Sequence, residues 1–276
     1  MTGIEYAMPE LAYHAHPALG STDIRKVLES PAKFAEYRKE PFTPTEAMRL
    51  GTAVHAKVLG TPSPVVVLKY ENYRTAKAQA ERDQAIADGM TPFLEGSDKV
   101  AAIDAMAEAV LAHSGARSIL EAAPGREVSA FTTDPATGVD LKARFDVYGD
   151  NECADLKTAV DASPNGFMRA VADHRYDVQQ EHYLTIRELI TGHRPRFRFI
   201  AIENTRPYLV AVHELDEQWQ EIGDEWAKVA RRTYRECVDA GVWPGYGTDT
   251  HTLHPPMWLI YAHEDRFGGR EMQVAS

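Results

Sequence analysis

Cysteine is scarce in this 276-residue chain: Cys153 and Cys237 stand far apart and in no CxxC spacing. Two isolated thiols are too few for an iron–sulfur cluster or for a zinc site built from cysteines alone, and they suit a reducing compartment. No apolar run approaches the roughly 18 residues that would cross a bilayer, so no membrane partner is expected. The first twenty residues lack the basic stretch and apolar run of a secretory leader, so the expected location is cytoplasmic. Positive charge is also in deficit, with 30 Lys and Arg against 41 Asp and Glu and a formal net charge of −11. Affinity for phosphates comes mainly from lysine and arginine, which counts against a general nucleic-acid coat. It leaves room for a nucleic-acid enzyme, because a carboxylate-rich metal site brings negative charge that bound cations offset. Internal repeats and low-complexity linkers are absent too.

What is present reads as one globular unit with enough length for a substantial core. "STDIRKVLESPAKFAEYRK" has Ser21 or Thr22 as N-cap and Ile24, Val27 and Leu28 at helical spacing, and Pro31 starts a further turn. After the "PFTPTE" punctuation, "AMRLGTAVHAKVLG" reads as a helix containing His55. "SPVVVLKY" is a short β-branched run, followed by two alanine-rich helices, the second expected to end near Ser114–Gly115. From Pro124 the chain turns β-rich: "REVSAFTTD", "GVDLKARFDVYGD" and "ECADLKTAV" read as three meandering strands. One or two helices follow, then a hairpin turning at Asn204–Pro207, then a long amphipathic helix in which Trp219 and Trp226 are expected in the core. This order predicts an α/β fold: a single domain with a central mixed sheet flanked by helices and a helical N-terminal portion. The expected divisions are an N-terminal extension over 1–20, a core domain over 21–246 and a tail over 247–276. His14 and His16 fall in an N-terminus expected to be flexible, and His182 is expected to face away from Tyr183.

The chemistry concentrates in "LKARFDVYGDNECADLKTAV". Residues two apart in a strand share a face, so Asp155 and Lys157 point the same way. Antiparallel pairing across the short polar turn brings Asp146 beside Asp155. Two close carboxylates repel unless a cation lies between them. Oxygen ligands suit Mg²⁺ or Mn²⁺, and a lysine beside such an ion can orient water or stabilise charge growing on a phosphate. An Asp-x-Lys triplet alone is common, and Asp146 alone is an ordinary turn residue, so the accompaniment decides. Arginines are locally dense (Arg187, Arg194, Arg196 and Arg198, then Arg231, Arg232 and Arg235), and the second group fits a solvated helix face as well as a phosphate track.

The accompaniment resembles a known group. "GTAVHAKVL", "ARFD", "ADLKT" and "QQEHY" are similar, in order, to the Gly-x-x-x-His, Asp, Asp-x-Lys and Gln-x-x-x-Tyr motifs of RecB-type members of the PD-(D/E)XK nuclease superfamily. The first helix and the segment 216–246 resemble phage exodeoxyribonuclease VIII (RecE-type) domains, so the likeness spans about residues 20–246. It implies a restriction-endonuclease-like core in which His55, Asp146 and Asp155 are metal ligands and Lys157 is the catalytic lysine. Gln179 and Tyr183, four apart on one helical face, would contact DNA or the lysine and its water. Glu127, one strand upstream, is a further candidate ligand or a support for one. Asp155 stands where many superfamily members carry Glu, and either carboxylate binds the metal.

The resemblance further implies a Mg²⁺-dependent exodeoxyribonuclease, with Mn²⁺ able to substitute, acting on double-stranded DNA ends. It would resect the 5′ strand for recombination, leave a 3′ overhang for a RecT-like single-strand annealing protein, and work as a homo-oligomer. The alternatives are a structure-specific endonuclease or single-strand exonuclease on the same core, or a non-catalytic DNA-binding scaffold.

Overall fold

β-Branched and aromatic residues alternate most densely between residues 125 and 213, and in the computed structural model this stretch builds the main sheet. The structure describes residues 2–39, 45–62 and 65–267, so most of the "PFTPTE" punctuation lies outside the described residues. The chain begins with β1 (Gly3–Glu5), α1 (Glu10–Ala15), α2 (Ser21–Glu29), α3 (Pro31–Tyr37) and α4 (Glu46–Leu59). Next come β2 (Val65–Leu68), α5 (Ala76–Ala87), β3 (Thr91–Leu94), α6 (Asp98–Ala112) and α7 (Ser114–Ala122). The sheet-forming half follows as β4 (Gly125–Thr133), β5 (Asp140–Tyr148), β6 (Glu152–Ala159), α8 (Pro164–His174), α9 (Tyr176–Thr191), β7 (Arg196–Glu203) and β8 (Val210–His213). It closes with α10 (Glu217–Ala240), and α11 (Met257–Phe267) comes last.

Six strands form one mixed sheet in the order β1-β4-β5-β6-β7-β8, antiparallel throughout except for the parallel pair β6–β7. That pair needs a crossover, and α8 and α9 supply it. β2 and β3 make a separate parallel ribbon. Helices cover both faces. One core gathers Phe145, Phe197 and Phe199 against Val178 and Ile186 of α9, Ala227 and Ala230 of α10, and Ile24 of α2. The other packs Val147, Leu156 and Ile200 against Val54 of α4, Met106 of α6 and Ile119 of α7. Gly223 lets α10 lie flush on the start of α9, since a Cβ there would meet the Asp177 carbonyl oxygen at 2.5 Å.

Several expectations need correction. α2 is capped by Gly20 instead of Ser21 or Thr22, because the Asp23 carboxylate accepts the Gly20 N–H at 2.9 Å from inside the first turn. The helix ending at Ala112 is followed at once by α7, whose Ala116 N–H donates to the His113 ring. The N-terminus is built into the fold. β1 pairs with β4, and the buried Lys142 ammonium donates to the carbonyls of Tyr13 (2.9 Å), His16 (2.8 Å) and His14 (3.4 Å). The His16 ring sits 4.6 Å from that of Phe131. Trp219 packs at the core, but Trp226 is 45% exposed beneath the Arg175 guanidinium. The buried stripe of α10 runs through Gly223, Ala227 and Ala230, and Trp226 lies beside it.

The chain divides into two compact units, 1–245 and 246–276. The second contains α11, on which Trp258 and Tyr261 are exposed. Among the described residues no helix is long and apolar enough to cross a membrane.

Candidate active site

Gly51 and His55 are four apart on α4 and therefore share a face. A Cβ at Gly51 would come within 3.3 Å of Thr158 Oγ1, tight enough that the threonine would have to shift by a few tenths of an ångström, so glycine suits the close approach of α4 to β6. That approach carries His55 to the sheet, where its Nδ1 lies 3.4 Å from Asp146 Oδ2.

Asp146 occupies a fault in the sheet. The β5–β6 ladder pairs Tyr148 with Cys153 and Val147 with Ala154, then stops short of Asp146 and Asp155. In place of a ladder bond, the Leu156 N–H donates to Asp146 Oδ2 at 2.7 Å. On the other side, the β4–β5 ladder passes from Arg126–Val147 to Val128–Phe145 and skips Glu127 and Asp146. Glu127 has φ +51°, a left-handed conformation that costs a non-glycine residue about 1–3 kcal/mol. The pleat loses its alternation here: Phe145 and Val147, two apart, pack into different cores. Three carboxylates, on β4, β5 and β6, thus lie where the β4–β5 ladder skips a pair and the β5–β6 ladder ends.

His55, Glu127 and Asp146 each offer a ligand atom, and these atoms lie within 4.8 Å of one another. Glu127 is also tied to Arg144, whose Nε donates to its Oε2 at 2.6 Å while Nη1 donates to Ser129 Oγ and the Met8 carbonyl. Asp155 is not gathered into that trio. Its carboxylate faces Lys157 Nζ at 2.6 Å and accepts from Gln179 Nε2 at 2.7 Å. Lys157 Nζ in turn donates to Gln179 Oε1 at 3.0 Å and sits 4.5 Å from the centre of the Tyr176 ring. Gln179 therefore bridges the lysine and the carboxylate with the two ends of one amide. Tyr183 makes no described contact with Lys157. It is buried with its ring against Phe145 and Phe197, and its hydroxyl lies near Ser21 and the Arg144 backbone.

Electrostatics at this point are unfavourable without a cation. Burial, followed by the neighbouring charges of Asp155 and Glu127, raises the Asp146 pKa well above the ordinary carboxylate range. Burial also raises that of Glu127, with Arg144 opposing. Burial lowers His55 to about 4, so its imidazole is neutral and has a lone pair to offer at neutral pH. A neutral imidazole with two or three carboxylates fits a divalent cation of the Mg²⁺ or Mn²⁺ class, the imidazole being better matched to Mn²⁺.

Residues 20–253 match the model of a family described as a PDDEXK-like domain of unknown function (DUF3799). The chain belongs to that family. No curated protein matches it in sequence. Among solved structures, a candidate exonuclease from Eubacterium rectale is similar to this PDDEXK-like domain with a TM-score of 0.63 and 11% identity, over 95% of this chain and 99% of that one. At that identity the likeness shows a shared fold. An alkaline exonuclease of Laribacter hongkongensis, LHK-Exo, has 16% identity over 71% of this chain and 95% of its own, with a TM-score of 0.23. The same enzyme in complex with dAMP gives 18% identity and a TM-score of 0.27.

In this PDDEXK-like domain the sequence motifs converge as follows: His55, Glu127 and Asp146 in one cluster, Asp155, Lys157 and Gln179 in an adjoining one. Two participants escaped the sequence reading. Tyr176 lies three residues before Gln179 on α9, a spacing that places both on one side of the helix. Arg144 carried no signal, because its partner Glu127 is reached only through strand pairing.

Proposed function

We propose that this protein is a divalent-metal-dependent deoxyribonuclease that hydrolyses phosphodiester bonds at double-stranded DNA ends. The observation that carries the reading is a buried carboxylate, Asp146, set between two others and a neutral imidazole, with the Lys157 ammonium alongside. Buried like charges of this kind are relieved either by protonation, as the raised Asp146 pKa indicates, or by a cation among them, and the neutral imidazole with a free lone pair beside them favours the cation. Asp146, Asp155, His55 and Glu127 would hold the cation. When bound, it supplies Lewis-acid stabilisation of charge on the phosphate and lowers the pKa of water.

The chain's own residues perform the rest. Lys157, oriented by Gln179 and the Tyr176 ring, places a positive charge where negative charge grows on the phosphoryl oxygens and hydrogen-bonds the attacking water. Asp155 holds the ammonium in place. Water attacks phosphorus, one phosphorus–oxygen ester bond breaks, and the products are a phosphate monoester and a hydroxyl. Tyr183 fixes the angle of α9 beneath β5 and so the reach of Gln179. The family resemblance of the motifs supports the finer reading: resection of the 5′ strand, a homo-oligomer that restricts action to ends, and handover of the 3′ overhang to a RecT-like single-strand annealing protein.

Digestion of a linear duplex labelled separately at its 5′ and 3′ ends, with Mg²⁺ and with EDTA, tests this directly. A closed circle runs alongside, with Lys157→Ala as control. Metal-dependent loss of the 5′ label, an intact circle and an inactive variant are expected. Cleavage of the circle would replace the exonuclease with an endonuclease on the same residues. Absence of cutting and of metal binding would favour a DNA-binding scaffold.

A further inference from the structure

A groove opens on the Lys157 side of the site, between α4, the exit of β6 and α8. Lys157, Thr158, Asp161, Arg169, Tyr176 and Asn204 line it, and it encloses about 350 Å³. That volume is at the small end of the ~300–1,000 Å³ typical of small-molecule sites. It is on the scale of a single nucleotide unit.

Charge picks out what enters. Most arginines in the same half of the chain are already neutralised by carboxylates: Arg175 by Asp177, Arg194 by Glu181, Arg196 by Glu214 and Arg198 by Glu152. Arg169 is exposed on α8 and, among the described residues, has no ion-pair or hydrogen-bond partner. Two carboxylates share the groove: Asp173 on α8, and Asp161 at the start of α8, whose Oδ1 accepts the Ser163 N–H at 2.9 Å. Lys157 is paired with Asp155, so among the described residues the Arg169 guanidinium is the groove's arginine or lysine without a carboxylate partner, and a guanidinium suits a phosphate. The wall opposite is rigid. Tyr176 stacks on Phe199 with centroids 5.9 Å apart and planes 27° apart, and holds Lys157 from the side.

We infer that this groove is the subsite for the nucleotide adjoining the scissile phosphate, with Arg169 binding that nucleotide's own phosphate; the inference rests on the deoxyribonuclease reading above. Arg169 thereby sets the strand in line with Lys157, and Tyr176 supplies the wall against which the sugar lies.

The test is equilibrium binding of a linear duplex to the full chain across a salt series, with Ca²⁺ in place of Mg²⁺ to prevent turnover. Wild type, Arg169→Ala and Arg169→Lys are compared. Loss of one phosphate contact predicts about tenfold weaker binding for Arg169→Ala, and a slope of log K against log salt shallower by about one. Arg169→Lys is expected to restore the slope. Unchanged affinity, or weaker binding with the wild-type slope, overturns the subsite. A parallel Mg²⁺ digestion separates the two failures. Wild type that cuts while Arg169→Ala keeps its slope removes only the subsite; wild type that neither cuts nor binds removes the nuclease reading with it.

Discussion

β5 buries two charged side chains four residues apart, and the protein treats them differently. Lys142 is complete: its ammonium reaches three backbone carbonyls, lies over the Tyr13 ring at 4.8 Å, and needs nothing else. Asp146 is incomplete. One backbone N–H and a neutral imidazole face it, together with two more carboxylates. The first arrangement fastens the N-terminal segment to the sheet. The second holds ionised carboxylates at a cost, and it coincides with the left-handed Glu127, the skipped pair of the β4–β5 ladder and the end of the β5–β6 ladder. A buried charge satisfied by backbone serves the fold, whereas one left facing its own kind marks where the fold expects a ligand.

Substitutions at the two ends of β5 and beside them separate the two roles. The largest effect belongs to the unfinished end. Lys157→Ala or Asp155→Ala is expected to lower the cleavage rate by about a thousandfold or more while the thermal midpoint stays near wild type; a variant cutting at the wild-type rate would remove these residues from the chemistry. At the finished end the effect falls on stability. Lys142→Met leaves three carbonyls without a donor and is expected to cost about 2–4 kcal/mol, on the order of 10 °C in Tm, read by calorimetry. An unchanged midpoint would mean that Lys142 fastens nothing.

A smaller effect is expected at Tyr176. Tyr176→Phe keeps the ring face toward Lys157 and should retain activity, whereas Tyr176→Leu should lose about tenfold in kcat, the scale of one cation–π contact of ~1 kcal/mol or slightly more. Equal losses in both would assign the role to the hydroxyl instead of the ring. The smallest is a gain. Asp146 has a raised folded pKa, so its stabilising contribution is present below the unfolded carboxylate value and lost as pH rises through the higher folded one. Asp146→Asn keeps an acceptor for the Leu156 N–H and removes the charge. At pH 8 in EDTA it should melt higher than wild type by about 2–4 °C, the equivalent of ~1 kcal/mol, while being inactive with metal. A lower midpoint would show that Asp146 is already satisfied by the protein.

Much of this was legible in the sequence. The order of elements and the mixed sheet follow from local patterning, and "ARFD" and "ADLKT" lie on strands joined by a short turn that pairs them antiparallel. Gly51 and His55 could be read together because helical spacing puts them on one face. What depended on distant partners was hidden. β1 is three residues long and becomes a strand only by pairing with β4, more than a hundred residues later. Trp226 lies seven residues from Trp219, and the helix drifts about 20° per heptad, enough to move it off the buried stripe. The left-handed backbone of Glu127 has no signature in a residue type that seldom adopts it. Arg144 and Tyr176 acquire meaning only once Glu127 and Lys157 have positions.

Anomalous scattering from a Mn²⁺-soaked crystal would show whether a divalent cation completes the site at Asp146. A peak is expected bounded by Asp146, His55 and at least one of Glu127 and Asp155, absent from an Asp146→Asn crystal soaked in the same way. No peak there in the wild-type crystal, together with cleavage that persists in EDTA, would contradict it.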